Sequence, residues 1–401
     1  MDTYETTSDF INSIIYNVKK NVIETSETAY ILDPVFKIVR NRVNAEFVKT
    51  LIRIGKEESL AKKIIRFIVK EQNDSGSWNE IHPNYNQPSA LITSIIGDSL
   101  ILGSNLFQND ELEESINLAK DYVISHENNG VFLKSETYTA DHLNVDATCG
   151  AFLAKYGEKY DDKECDDIAT RTARHICNNQ SHDGSFPYTT TKGNYSYNLN
   201  IPCVHYQGVT LYYLTKIHEV TGEEWLKDAI IKGCEWLSGV QKDNGKFKWY
   251  KSGLMFAYYL SGAYAFAFAS FKYASNWDKK YHKNVYKSLD ILKKNIYGIM
   301  LRWESDSWLS YPYSIPATFN TAFLGDYPYK YKLFRLGYGF YRQTARRRFS
   351  NKSDEKLFKK LIDIFNLNVS TVESFSNYPD MFMTSEVLDC LSYSLKNEEF
   401  L

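Results

Sequence analysis

The chain is predicted to be all-α: an α/α toroid of about six helical hairpins in two concentric layers. Three observations carry this. A short phrase recurs four times, as Gln72-Asn-Asp-Ser-Gly76-Ser-Trp78, His126-Glu-Asn-Asn-Gly130-Val-Phe132, Gln180-Ser-His-Asp-Gly184-Ser-Phe186 and Gln241-Lys-Asp-Asn-Gly245-Lys-Phe247. Its glycines stand 54, 54 and 61 residues apart, and a fainter copy, Tyr297-Gly298-Ile-Met300, follows 53 residues on. Self-similarity at such a period marks a repeat architecture. Second, the segment ahead of each phrase is amphipathic. Third, the segment after it is apolar nearly all round.

In chain order, residues 1–30 read as a helical extension and residues 31–401 as the toroid, together one domain. A first hairpin ends in Leu60–Gln72. Ser89 to Leu106 is the next inner helix. Leu112, Ile116, Ala119 and Val123 stripe the outer helix that follows, at helical spacing. Asp146–Tyr156 and Gln207–Val220 are inner helices. Trp225, Leu226, Ala229, Ile230, Trp236, Leu237 and Val240 mark another outer one. Leu254–Tyr273 with Asn284–Tyr297, then a late hairpin ending in Glu355–Phe365, complete the count. Asn or Asp followed by Gly stops each outer helix, because glycine accepts the left-handed cap conformation. The aromatic beyond can fold back as an apolar anchor. An inner helix that is apolar on all sides must be covered on all sides, which a closed ring provides.

Composition narrows the function classes. A net charge of −2 argues against broad electrostatic binding to nucleic acid. The six cysteines, Cys149, Cys165, Cys177, Cys203, Cys234 and Cys390, form no Cys-x-x-Cys pair and no zinc spacing. They read as reduced thiols of a cytoplasmic protein. The start, Met-Asp-Thr-Tyr-Glu, lacks signal-peptide order. Ser252 to Phe271 carries no charge and could span a bilayer by length, but the repeat register makes it an inner helix. No Gly-rich phosphate loop, serine elbow or His-Glu-x-x-His motif occurs, so no cofactor and no metal are expected. Asp161 to Asp167 is read as N-terminal helix charge.

Chemistry is expected in the loops from outer-helix ends to inner-helix starts, all on one face of the ring. They hold Trp78, His82, Tyr138, Asp141, His142, Tyr197, Asn198, Trp249, Arg302, Trp303 and Trp308. Aromatic faces stack on sugar rings, while Asn, Asp, Arg and His bind hydroxyls and carboxylates. These eleven are the candidate substrate-binding residues, with Arg302 and Lys192 suited to a uronate or phosphate. Many such aromatics would equally seal the barrel. For catalysis, His205 opens an inner helix beside its positive end, where the neutral base is favoured, with Tyr206 next to it. Asp146 opens another inner helix, as an N-cap or as an acid facing the hub. Glu304, in Arg302-Trp-Glu304-Ser-Asp306-Ser-Trp308, is the fourth candidate catalytic residue. Tyr327 to Arg342 with Arg346–Arg348 interleaves bases and aromatics. It could rest on an anionic membrane surface, or form a last inner helix with a basic end.

The Gln-x-x-x-Gly-x-Trp/Phe phrase, over residues 60–300, resembles the repeat motif of terpenoid cyclases and protein prenyltransferases, which implies an α/α toroid. No Asp-x-Asp-Asp motif accompanies it, and Asp146, Cys203 and His205 approximate the prenyltransferase zinc set poorly. The segment from His205 to Leu226 looks like hairpins of α/α-barrel carbohydrate enzymes, and Leu254–Phe268 is loosely similar to glucuronyl C5-epimerase helices. Those likenesses imply proton abstraction beside a uronate carboxylate, followed by return or elimination, on a polysaccharide or lipid-linked glycan. A terpenoid cyclase-like enzyme and a non-catalytic glycan- or protein-binding toroid are the alternatives. The sequence sets no oligomeric state.

Overall fold

A computed structural model of the protein describes residues 6–33, 37–82, 85–107, 109–191, 202–248, 260–295 and 381–395. Among these are twelve α-helices: α1 (Thr7–Lys19), α2 (Asn41–Arg53), α3 (Glu58–Lys70), α4 (Ala90–Gly103), α5 (Asp110–Ser125), α6 (Leu143–Tyr160), α7 (Lys163–Asn178), α8 (Val204–Thr221), α9 (Glu224–Val240), α10 (Leu260–Ala274), α11 (His282–Asn295) and α12 (Met381–Ser394). Three two-stranded antiparallel ribbons join them: β1 (Val22–Glu24) with β2 (Ala29–Ile31), β3 (Asn79–His82) with β4 (Tyr85–Pro88), and β5 (Glu127–Asn128) with β6 (Val131–Phe132).

The even-numbered helices form the hub. Each of α2, α4, α6, α8 and α10 packs on the next, α10 packs on α12, and α12 closes the ring on α2. Outside them, α3, α5, α7, α9 and α11 each lie on their own inner partner, and α1 lies on α12. This is the predicted α/α toroid with six inner helices. Burial follows the predicted layers: α4, α6 and α8 are buried on nearly every side, whereas α5 buries one stripe, Leu112, Ser115, Ile116, Ala119 and Val123. The segment from Glu355 to Phe365, expected to end the late hairpin, lies outside the described residues, as does the basic, aromatic run 327–348. The described last inner helix is α12, further along the chain. The described part of the uncharged stretch, α10, is an inner helix. No helix among the described residues is long and apolar enough to cross a membrane. All six cysteines are free thiols.

The phrases do more than stop helices. In three of them the leading glutamine spans two turns of structure. Gln72 Nε2 donates to Gly76 O and to Ser115 O of α5; Gln180 Nε2 donates to Gly184 O and to Ala229 O of α9; Gln241 Nε2 donates to Gly245 O and to Ser288 Oγ of α11. Each phrase thus rivets one outer helix to the next. Its glycine has φ between +83° and +89° and lies against the backbone or side chain of that next helix, so a side chain there meets both torsional strain and a wall. The aromatic after it is the apolar anchor: Trp78, Phe132, Phe186 and Phe247 are all buried. Its N–H is taken up by the first or second turn of the next inner helix, through Thr93 Oγ1, Asp146 Oδ1, Gln207 Oε1 and Tyr264 OH in turn.

Candidate active site at the mouth of the barrel

Because inner and outer helices alternate in direction, all inner helices start at the same end, where the phrase loops gather. Aligned helix starts bring the positive dipole ends and free N–H groups of α2, α4, α6 and α8 to one rim. Around that rim polar and aromatic side chains follow one another in a circuit. On α2, Arg42 donates from Nε to Glu46 Oε1 at 2.7 Å and from Nη2 to Glu386 Oε1 of α12 at 2.5 Å. Ser385 Oγ donates to the second oxygen of Glu46. The Arg42 guanidinium lies 4.6 Å over the Phe382 ring, and His82 lies 5.7 Å from that ring on the β3–β4 ribbon.

From His82 the circuit passes to Glu80, 3.1 Å away, then to Lys134 at 2.8 Å, whose ammonium sits 4.7 Å over Tyr138. Burial raises the Glu80 carboxyl, but Lys134 and His82 together hold it below the usual carboxylate range. Burial pushes the His82 imidazolium down. His142, the N-cap position of α6, hydrogen-bonds through Nδ1 with Ala140 O at 2.8 Å. Burial, with the Lys134 charge, lowers its pKa to about 4, so it is neutral at pH 7. Its ring meets Tyr188 edge-on at 5.1 Å; Tyr188 lies 4.4 Å from Tyr206; Tyr206 lies 5.0 Å from His205.

The circuit closes at Gly262 of α10. A Cβ built there would meet Glu386 Oε2 first, then His205 Cε1 at 2.9 Å and Nδ1 at 3.4 Å. One imidazole and one carboxylate therefore converge over a glycine that leaves them room. His205 is 3% exposed and Glu386 2%. An imidazole and a carboxylate so placed, in a site shielded from water, can take a proton from one face of a bound carbon and return it.

The structure gathers His82, Tyr138, His142, His205 and Tyr206, five of the residues singled out from sequence. It corrects three others. Trp78 is fully buried, and its Nε1 donates to Ile68 O at 2.8 Å, so neither ring face can stack on a sugar. Asp146 is neither an N-cap nor directed into the hub: it is fully buried, and its Oδ1 accepts the Phe132 N–H at 2.7 Å. Asp141 turns outward to His175 of α7, 2.9 Å away. Tyr197, Asn198, Trp249, Arg302, Trp303, Glu304 and Trp308 lie outside the described residues, as does Lys192.

Sequence reasoning missed Arg42, Glu46, Phe382 and Glu386, which come from the first and last inner helices, away from the phrases. A signal existed. Arg42, Glu46, Lys49 and Arg53 repeat at helical spacing along a helix that is buried over most of its length, and Glu386 and Asp389 interrupt an apolar segment. Charges on one face of an otherwise buried helix face something polar. A groove of about 320 Å³ on the outer wall, lined by Glu27, Ile65, Arg66, Val69 and Leu112 among others, shows no comparable convergence of groups.

The fold and this polar mouth define an α/α-toroid protein with a buried, ionisable centre. No family model matches the chain, and no curated protein matches its sequence. Solved structures with the same fold include an unsaturated glucuronyl hydrolase specific for heparin, at 11% identity and TM-score 0.59 over 96% of this chain and 95% of that one. A GH76 α-mannanase of Bacteroides thetaiotaomicron is similar at 12% identity and TM-score 0.58 over 97% and 95%. A D-mannose isomerase is similar at 15% identity and TM-score 0.54 over 76% and 90%.

Proposed function

We propose that the protein is a carbohydrate-active enzyme that moves a proton at a sugar carbon, in epimerase, isomerase or lyase chemistry. The convergence of His205 and Glu386 over Gly262 carries this reading. His205 acts as the base at a carbon beside a carbonyl or carboxylate, where the leaving proton is most acidic. The Tyr206 hydroxyl, or His205 in its protonated form, returns a proton to the carbon, giving the epimer or isomer; expulsion of a neighbouring substituent, protonated by Tyr206 as it leaves, instead gives the unsaturated sugar. Arg42 holds Glu386 and Glu46 in place through two charged hydrogen bonds. The aromatic run Tyr138, Tyr188 and Tyr206 forms the wall on which a sugar ring rests. A uronate-containing polysaccharide or lipid-linked glycan is the substrate class we favour, and the glycan-processing proteins that share the fold are consistent with it. A terpenoid substrate fits less well, because a carbocation site needs an apolar hub and this hub is lined with ionised groups.

The test is solvent-exchange NMR. The purified chain is incubated in deuterated water with uronate oligosaccharides and, separately, with free aldoses. Deuterium at a ring or chain carbon, lost on His205→Asn, is the expected result. New reducing ends with neither deuterium on carbon nor an unsaturated sugar among the products would establish hydrolysis and sink the proton-transfer reading. Binding without any turnover would leave a glycan-binding toroid.

A further inference from the structure

On the side of α6 that faces α7, three side chains converge that the mouth does not use. Asp141 precedes the α6 N-cap, Asp146 stands in the first turn, and His175 lies in the last turn of α7. His175 Nε2 is 2.9 Å from Asp141 Oδ2 and 3.8 Å from Asp146 Oδ2. One donor atom from each residue lies within 4.8 Å of the others. Small rotations would bring all three to the ~2.0–2.2 Å that zinc–oxygen and zinc–nitrogen bonds require.

A second observation points to a ligand. Asp146 is fully buried, and no N–H or O–H group of the protein donates to its Oδ2. The Phe132 N–H fixes the other oxygen, leaving Oδ2 beside His175 and the Asp141 carboxylate. Asp141 Oδ1 is likewise buried and receives no hydrogen bond. Two buried carboxylate oxygens without donors are costly, and a shared cation would satisfy both.

We propose that Asp141, Asp146 and His175 bind one divalent first-row transition-metal ion, zinc by preference, with water completing its coordination. Two carboxylates with one imidazole suit zinc or manganese better than a soft, thiolate-seeking ion. The ion fastens the loop beyond Phe186 to the α6–α7 hairpin. The Thr190 hydroxyl donates to Asp141 Oδ2, Thr190 N donates to Asp141 O at 3.1 Å, and Asp141 N donates to Thr191 Oγ1 at 2.9 Å. Those contacts are the outer shell that orients a ligating carboxylate. The expectation of no metal rests on short-range spacing, and these ligands come from two helices and the loop ahead of one of them.

The experiment uses the full chain, stripped with chelator and titrated with Zn²⁺ and with Co²⁺, read by metal content, thermal melting and the visible cobalt spectrum. One equivalent bound, a higher melting temperature and a cobalt spectrum without thiolate charge transfer are expected. His175→Ala should weaken binding at least tenfold. That partly exposed helix position tolerates truncation, so it carries the test, whereas Asp146→Asn also disturbs the Phe132 bond. Lack of saturable binding below millimolar metal, unchanged affinity in His175→Ala, or a thiolate–cobalt band would overturn the proposal. In the first case Asp141 and Asp146 share a proton instead.

Discussion

Replacing Gly184 by alanine should cost several times more stability than replacing Gly222, although both glycines are left-handed. Gly222 has φ +64° and open space where a Cβ would go. Alanine there pays only the left-handed conformation, roughly 1–2 kcal/mol, partly offset by the less flexible unfolded chain. Gly184 has φ +89°, and a Cβ would lie 2.7 Å from the Lys232 carbonyl carbon and closer still to its oxygen, on α9. Relief requires moving α9 or the phrase, an overpacking cost of about 1–3 kcal/mol. The same shift loosens the bonds that Gly184 O accepts from Gln180 Nε2 at 3.0 Å and Gln207 Nε2 at 3.1 Å, each worth about 1 kcal/mol. The expected losses are ~3–5 kcal/mol for Gly184→Ala and at most about 1 kcal/mol for Gly222→Ala. In a chain of 401 residues each kcal/mol moves the melting temperature by only about 1 °C, so urea unfolding followed by circular dichroism is the better assay. Equal losses for the two variants would refute the riveting role given to the phrases.

Lys49→Met should destabilise by ~2–4 kcal/mol in the same assay, because it takes one cation from both Asp98 and Asp389 in a fully buried setting. A neutral effect would mean that Lys155, Lys216 and Arg53 already balance those carboxylates. His142 has a folded pKa near 4 against 6.5 when unfolded, so the unfolded chain binds the extra proton between those values. Its contribution is present above pH 6.5 and lost as pH falls toward 4, up to ~3 kcal/mol; His142→Asn should flatten that limb of a stability–pH curve. Lys216 is lowered to about 8, chiefly by burial, so stability rises with pH from about 8 toward 10.5 on its account. Stability measured from pH 7.5 to 9.5 should show Lys216→Met losing this rise relative to the native chain; parallel curves would contradict it.

The ring was legible because its determinants are local. A phrase of seven residues, an amphipathic segment and an apolar one recur in register, and each can be read without knowing its neighbours. Trp78 shows what the same register could have settled: it occupies the position of Phe132, Phe186 and Phe247, all buried, so an anchor was the consistent assignment. Asp146 was harder. Its counterparts are Thr93, Gln207 and Tyr264, which share only an oxygen able to accept one N–H, so no residue type marks the position. The pairing of Arg42 with Glu386 spans 344 residues and depends on ring closure, which no local pattern reveals.

The hub beneath the mouth bears on the substrate. Asp98 of α4 receives Lys49 of α2, Lys155 of α6 and Lys216 of α8; Asp389 of α12 receives Lys49 and Arg53 of α2 and a hydrogen bond from Tyr212 of α8. Helices α4 and α8 are not neighbours in the ring, so these pairs bridge its centre. Such a network is weak grounds for stability, since well-packed apolar residues would serve at least as well. Its charge is the informative part. Four cations face two carboxylates, and Lys216 keeps its proton at pH 7 with its ammonium 4.5 Å from the Tyr212 ring centre. Lys49 and Arg53 lie two to three turns deeper along α2 than Arg42. The surplus positive potential therefore sits under the point where His205 and Glu386 meet, in a low-dielectric interior where it is poorly screened. A base that removes a proton beside a carboxylate builds negative charge on that carboxylate. A cationic floor favours that build-up, which is the physical reason to try uronates before neutral sugars.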